Sequence, residues 1–246
     1  MDKMLYIAMS GAQQIMKAQA VNTNNLANVS TTAFKADLNA FSSVEINGPG
    51  FGSRVYGVNG GNGIDLSPGS IKQTGRELDI AISGEGYIAV QAADGTEAYT
   101  RAGNFSFNSS GQLMTGSGNL VMGNGGPVSL PPFEKLEIGT DGTLSIRPIG
   151  QSAATLAVVD RIKLVNISPQ ELIKDQHGLL RTRSGIEASP DAAVKVVSGA
   201  LESSNVSAIE SMVTMIDLSR SFEMQIKIMT TANETAQSAQ SLMRVT

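Results

Sequence analysis

The C-terminal segment carries the pattern that most constrains this fold, because apolar side chains recur there at alternating spacings of four and three. No Gly or Pro follows Gly199, so nothing in the composition interrupts a helix. We therefore predict one long helix from Ser203 to about Met243 with a heptad stripe along it. A second stripe follows another face of its first half. The first stripe comprises Leu201, Asn205, Ala208, Met212, Met215, Ser219, Phe222, Ile226, Met229, Asn233, Ala236, Gln240 and Met243, and the second comprises Val206, Ile209, Val213 and Ile216.

The N-terminal segment predicts a second helix, from Asp2 to about Asn28, since it holds no Pro and only one Gly. Its small and apolar residues form a broad arc that faces one way. Small side chains in that arc allow another backbone to approach closely. The Asn-rich stretch 24–28 predicts the helix end, because Asn favours caps and turns over helix interiors. The arc includes Leu5, Ala8, Ile15 and Leu26.

The middle of the chain is different in kind, since all eight Pro and nearly all 26 Gly lie between Gly48 and Pro190 or close to those limits. Short alternating segments separated by turn residues are typical of an all-β domain. The segments 80–82 and 87–90 flank one turn, and Asp141-Gly142 is a strong hairpin signal. Residues 48–63 are rich in Gly and Asn, which predicts a loop.

These patterns predict a mainly β protein with long terminal helices that pair as a coiled coil. The domain prediction places paired helices over 1–30 and 203–246, extended or loop connections over 31–75 and 186–202, and a central β domain over 76–185. At 1.5 Å per residue the helices span about 60 Å and about 40 Å, more than the β domain can cover. The surplus apolar stripe favours burial against other chains. An intramolecular hairpin capping the β domain is the alternative.

Little in the sequence points to chemistry. The chain has 18 basic and 22 acidic residues without a basic cluster, which disfavours nucleic acid. Cys is absent, and His177, the only His, lies in a polar turn. Gly84–Ala89 has dinucleotide-fingerprint spacing but precedes a strand instead of a helix. We predict no catalytic residues, no cofactor and no metal. No apolar run is long enough for a membrane span, and no Sec-type signal is expected.

Four segments resemble the flagellar basal-body rod, hook and hook-associated proteins. The first is Asn24–Lys35, in which Asn24, Asn25, Leu26, Ala27 and Asn28 form the family motif. The others are Gly69–Tyr87, Tyr99–Leu113, and Gly199–Val206 followed by Met215–Glu223. The opening residues 1–12 resemble proximal more than distal rod subunits. Many relatives have Gly before the Phe-Lys pair, where this chain has Ala33.

The resemblance implies a structural, non-enzymatic rod subunit that helps to transmit torque. Its partners would be other rod proteins, copies of itself and the flagellar type III export apparatus. It would be exported without a cleaved signal and lie in the rod within the periplasm. Alternatives are a distal rod protein or a β-rich extracellular binding or baseplate module. The expected assembly interface is Leu5, Ala8, Ile15, Leu26, Phe34, Met212, Met215, Phe222, Ile226 and Met229.

Overall fold

A computed structural model describes residues 2–45, 55–150 and 156–244 of the chain. Two long helices enclose a succession of short strands in sequence, so the predicted class, mainly β with long terminal helices, is confirmed. In chain order the elements are α1 (Asp2–Ala27), β1 (Asp37–Glu45), β2 (Val55–Ile64), β3 (Ile71–Gln73), β4 (Ile80–Ser83), β5 (Tyr87–Gln91), β6 (Glu97–Thr100), β7 (Phe105–Phe107), β8 (Leu113–Thr115), β9 (Leu120–Val121), β10 (Phe133–Ile138), β11 (Thr143–Pro148), β12 (Ala157–Arg161), β13 (Leu164–Val165), β14 (Leu172–Lys174), β15 (Leu180–Thr182), β16 (Lys195–Ser198), β17 (Ala200–Glu202) and α2 (Ala208–Arg244).

The chain divides into two compact units. The helical unit is drawn from the described residues of Met1–Val29, Ala36–Asp65 and Val206–Thr246, and the β-rich unit from Ser30–Lys35 and Leu66–Asn205. This partition differs from the domain boundaries predicted above. Residues 36–65 group with the helices, and 186–205 group with the strands.

The β-rich unit is built on a sheet of order β14-β15-β6-β5-β9-β8-β7, with β13 added beside β5. A three-stranded sheet, β10-β11-β12, and the pairs β16-β4 and β17-β3 complete it. The core is apolar and fully enclosed, with Ile80, Ile88, Phe105 and Leu144 all 0% exposed. The predicted hairpin at Asp141-Gly142 is present, because Ile138 pairs with Leu144 across that turn.

The two strands that flank the turn at 84–86 do not pair with each other. β4 pairs with β16, and β5 pairs with β6, β9 and β13. Gly84 and Gly86 both have positive φ, at 93° and 127°, a region that favours glycine. The chain therefore turns from one sheet into the next at this point instead of forming a hairpin.

In the helical unit the predicted loop over 48–63 is partly wrong. Residues 55–63 belong to β2, which pairs antiparallel with β1 from Asp37 opposite Ile64 to Glu45 opposite Val55. Residues 48–54 lie outside the described residues, as do 1, 245 and 246 at the predicted domain ends. Hydrogen bonds between β1 and β2 satisfy the polar backbone groups of this Gly-rich segment. Its Gly and Asn content alone predicted a loop and gave no sign of this pairing.

The C-terminal helix begins at Ala208, later than the predicted Ser203. Leu201 pairs with Lys72 in the β17-β3 ladder, and the Ser203 amide donates to the Ser70 carbonyl at 2.8 Å. These residues are held extended by strand partners that are distant in sequence. Helix then starts where the Ser207 hydroxyl can accept from the Glu210 amide, at 3.4 Å.

Candidate functional site

The two helices of the helical unit run antiparallel. Near the end of α1, the Asn22 side-chain amide donates to the Ser211 carbonyl at the start of α2, at 2.7 Å. Further from both of those ends, Gly11 lies against Gln225, and a Cβ built on Gly11 would come within 3.3 Å of its carboxamide. As numbers fall along α1 they rise along α2, which defines the antiparallel pairing. A Cβ at position 11 would therefore require the Gln225 carboxamide to shift by a few tenths of an ångström.

The less exposed face of α2 agrees with the predicted stripe at only every second stripe residue. Met215, Phe222 and Met229 are half-buried, as the stripe requires, whereas Met212 is 54% exposed and Ile226 is 43% exposed. Residues one position earlier take their place: Ser211 is buried, and Leu218 and Gln225 are half-buried. The buried seam therefore contains Ser211 and Gln225 in place of Met212 and Ile226, and Leu218 in place of Ser219, so it has fewer large apolar residues than predicted.

Exposed apolar side chains cover the opposite face of the first turns of α2. With 3.6 residues per turn, the less exposed side of the helix contains Ser211, Met215, Leu218 and Phe222. The exposed apolar side chains project from the side opposite to these four residues. Four neighbouring side chains form what we term the outer patch: Ile209 (78% exposed), Met212 (54%), Val213 (54%) and Ile216 (53%).

The predicted interface residues of α1 divide in the same way. Ala8 is 4% exposed, Ile15 and Leu26 are half-buried, and Leu5 is 37% exposed. Met9 and Met16, which the prediction did not include, are 40% and 56% exposed. The helix therefore buries its small residues and presents several large ones.

The asparagines of the family motif have specific structural roles at the end of α1. The Asn25 side chain brackets Asp37, donating to its carbonyl and accepting from its amide, both at 2.9 Å. The Asn28 side chain donates back to the Asn24 carbonyl at 2.9 Å. These bonds end the helix and attach the start of β1 to it. Leu26 is half-buried and Ala27 is exposed.

Phe34 lies in the β-rich unit and already has partners within the chain. The Lys174 ammonium is 4.2 Å from the centre of its ring, within the range of a cation–π contact. Its carbonyl accepts from the Asn205 amide at 3.2 Å. The role of the Phe34 side chain in assembly stays a prediction, as do the roles of the other residues of the predicted interface.

A buried ion cluster is the feature that sequence reasoning missed. Glu202, 1% exposed, accepts from the Lys35 ammonium at 2.7 Å and from Arg101 Nε at 2.8 Å. The Gly69 amide donates to the same carboxylate at 2.9 Å. Lys35 and Arg101 are 5% and 6% exposed. Buried charges need such partners, since an unpaired one is strongly destabilising.

Each member of this ion cluster comes from a different segment that carries the family resemblance. Lys35 ends the first segment, Gly69 begins the second, Arg101 lies in the third and Glu202 in the last. Arg101 also donates to the Gly84 carbonyl at 2.7 Å and lies over the Tyr87 ring at 5.8 Å. Burial raises the pKa of the Tyr87 hydroxyl, and the Arg101 charge partly opposes that rise.

Two small residues beside the cluster are constrained by backbone geometry. Ala33 has φ of 54°, a left-handed conformation in a non-glycine residue, and its amide donates to the Glu202 carbonyl at 2.9 Å. A backbone conformation of this kind favours glycine. A Cβ built on Gly69 would overlap the Ser203 carbonyl oxygen, so glycine is required there.

His177 is exposed, and its amide donates to the Asp175 side chain at 2.9 Å, as in a polar turn. Within the described ranges, neither helix has a window apolar enough to cross a membrane.

The chain matches three family models along its length. They are the flagellar basal-body rod protein at residues 5–35, the flagellar hook protein FlgE/F/G D1 domain at 81–146, and the flagellar basal-body rod FlgEFG protein C-terminal region at 197–242. The flagellar basal-body rod protein FlgF of Salmonella typhimurium strain LT2 is 40% identical over 240 residues, covering 95% of each chain. FlgF of Escherichia coli K12 is 38% identical, and the match covers 99% of each chain. FlgG of Bacillus subtilis 168 is 32% identical, and the match covers 99% of this chain and 100% of FlgG.

The chain therefore belongs to the flagellar basal-body rod protein family and is a structural, non-enzymatic member of it. Within the family it is FlgF-like, a proximal rod subunit of the flagellar basal body, and FlgG is the close relative. Membership implies assembly with other rod components.

Proposed function

We propose that this subunit assembles through both faces of its terminal helices, joins neighbouring rod segments and transmits torque along the rod. The observation that supports this most strongly is the two-sided α2. One face is turned toward α1, while the outer patch of Ile209, Met212, Val213 and Ile216 is more than half exposed. Burial of such an apolar surface against another chain removes it from water and stabilises the resulting assembly.

Its partners in this proposal are copies of itself, the other proximal rod subunits and the distal rod protein. The type III export apparatus delivers the chain without cleavage of a signal peptide, and the subunit lies in the rod within the periplasm. Before assembly the exposed helical stripes lack partners, so the helices fray more readily than the β-rich unit. Membership of the rod protein family supports the proposed partners, export route and location together.

A distal-rod role is the second candidate, because the Bacillus subtilis FlgG match spans 99% of this chain. The higher identities to FlgF, 40% and 38% against 32%, favour the proximal role. Counting subunits per basal body separates the two, since a proximal subunit is expected to be the scarcer.

The outer patch gives the sharpest test. In Ile216→Asp and Val213→Asp a carboxylate replaces an apolar group that is exposed in the single chain, so folding is preserved. At an apolar interface the same carboxylate would be buried without a partner, at a cost of several kcal/mol. We expect non-motile cells that make and export the protein but fail to incorporate it into basal bodies.

Thr214→Asp is the matched control, because Thr214 is exposed in the same turn but lies off the outer patch. It should support normal swimming and normal incorporation, measured by immunoblot of isolated basal bodies. Normal swimming of the Ile216→Asp strain would contradict assembly through this face.

A further inference from the structure

The turn at residues 123–126 of the β-rich unit presents an asparagine directly before a glycine. Asn124 and Gly125 are both exposed, and the Gly123 amide closes the turn by donating to the Gly126 carbonyl at 2.7 Å. A Cβ built on Gly125 would have no neighbour within 4 Å. Among the described residues, neither the Asn124 side chain nor the Gly125 amide makes a hydrogen bond. These two groups can therefore approach each other without breaking another interaction.

This arrangement favours a reaction within the chain. The Gly125 backbone nitrogen loses its proton to a base in solution and attacks Cγ of the Asn124 carboxamide, which closes a succinimide ring. The bond between Cγ and Nδ2 breaks, and Nδ2 takes up a proton and leaves as ammonia. Water then opens the ring at either carbonyl and leaves aspartate or isoaspartate at position 124. Because the two reacting groups belong to adjacent residues, their effective concentration is high whenever the backbone can reach the reactive geometry.

Two other asparagines of the same stretch of chain are held by hydrogen bonds. The Asn108 side chain donates to Gln112 Oε1 at 2.9 Å and accepts from the Ser110 amide at 3.0 Å. The Asn119 side chain donates to the Ser117 hydroxyl at 3.0 Å. Neither residue precedes a glycine, so the following side chain also hinders approach to the backbone nitrogen. The reaction is therefore expected at position 124 and not at its neighbours.

The Asn-Gly pairs of β2 provide a comparison within the chain. In Asn62–Gly63 both residues have partners in the β1–β2 ladder, namely Asn39 and Leu38. The strand must open locally before the backbone there can reach the reactive geometry. Each 1.4 kcal/mol of opening free energy slows the reaction about ten-fold. Asn59–Gly60 lies at the register shift of the ladder, where we expect weaker protection. The pair at 47–48 lies outside the described residues.

We propose that Asn124 is a site of spontaneous deamidation in the folded chain, through a succinimide formed with the Gly125 nitrogen. The reaction places a new carboxylate one residue from Gly123. The Asp160 carboxylate already lies beside Gly123, since a Cβ built there would overlap Asp160 Oδ2. Like charges repel, and isoaspartate also lengthens the main chain by one atom, so both products loosen the turn. This inference does not depend on the proposed rod assembly.

Peptide mass spectrometry tests the site after the purified full chain is incubated in mildly alkaline buffer. Trypsin releases Val55–Lys72, which contains Asn62, and Ala102–Lys135, which contains Asn124 together with the internal controls Asn104, Asn108 and Asn119. In the folded chain we expect Asn124 to be converted at least about ten-fold faster than Asn62, to a mixture of aspartate and isoaspartate. In urea the two rates should become similar, because unfolding removes the ladder that protects Asn62.

Gly125→Ala isolates the mechanism, because the added methyl group enters open space and hinders only the attack by the backbone nitrogen. It should slow the conversion of Asn124 about ten-fold, whereas the control Ser129→Ala, at an exposed position just after the turn, should leave the rate unchanged. Equal rates at Asn124 and Asn62 in the folded chain would overturn the proposal. An unchanged rate in Gly125→Ala, or an unmodified Asn124 in a folded chain whose Asn62 reacts in urea, would overturn it as well.

Discussion

The β-rich unit completes its own core, whereas the helical unit does not. Phe105, Leu113, Val121 and Leu144 are all 0% exposed in the first. Among the described side chains of the second, the buried ones are small, namely Ala8, Ala12 and Ser211, at 4%, 6% and 7% exposed. Large apolar side chains of the helices remain partly or mostly exposed. The difference teaches that the strands enclose a complete apolar core within one chain, whereas the helices leave large apolar side chains exposed to solvent.

Matched phenylalanines give the strongest way to break this comparison. Phe105→Ala removes a fully buried ring and should lower the free energy of unfolding by about 3–5 kcal/mol. Phe222→Ala, at a half-buried position, should cost less than about 2 kcal/mol in the isolated chain. Urea denaturation followed by circular dichroism measures both. Equal losses would mean that the helical seam is packed as tightly as the β core.

Glu202→Gln tests the ion cluster. It removes the buried negative charge that pairs with Lys35 and Arg101, and we expect a loss of about 3 kcal/mol in unfolding free energy. The matched control is Glu137→Gln, because the Lys135–Glu137 pair has side chains that are 44% and 47% exposed. Surface pairs contribute about 0–1 kcal/mol, so the control should be near neutral. A Glu202→Gln protein as stable as the control would show that the cluster does not hold the motif segments together.

Ala33→Gly should stabilise the chain. The left-handed φ of 54° costs a non-glycine residue about 1–2 kcal/mol, which the greater unfolded-state entropy of Gly partly offsets. We expect a net gain of up to about 1 kcal/mol in the same denaturation experiment. Ala33→Val is the opposing control, because a β-branched residue is still less compatible with positive φ. A destabilised Ala33→Gly chain would indicate that the buried methyl group contributes more than the strain.

The smallest expected effect concerns a surface network of the β-rich unit. Hydrogen bonds from the Thr96 hydroxyl and amide, aided by Arg181, lower the pKa of Asp94 to about 2. A carboxylate whose folded pKa is depressed stabilises the fold above its unfolded pKa and loses that contribution as pH falls from about 4 through 2.

Thr96→Val removes the largest cause and should raise the pKa of Asp94 toward its ordinary value. Carbon-detected NMR titration of the Asp94 carboxyl measures the shift. The unfolding midpoint of the variant should accordingly fall less between about pH 5 and about pH 2, a range that runs from above the unfolded pKa of Asp94 down to its folded pKa. An unchanged titration curve would contradict the assigned cause.

Local patterns predicted elements better than they predicted pairing. The strands at Ile80–Ser83 and Tyr87–Gln91 lie where alternation and turn residues placed them, yet β4 pairs with β16, more than a hundred residues later in the chain. The heptad spacing located α2, but it could not decide between Met212 and Ser211 at the seam, since both fit a helical repeat. Which neighbour lies opposite is a property of distant contacts.

The sequence by itself determined the two helices, the β-rich middle and the family, because periodicity, turn residues and motif order are all local in the chain. Only the tertiary structure decided that Lys35, Gly69, Arg101 and Glu202 meet in one buried cluster. No spacing rule relates residues separated by 167 positions, as Lys35 and Glu202 are. Their juxtaposition follows from sheet pairing, β17 against β3, which brings distant segments together and excludes water around their charges.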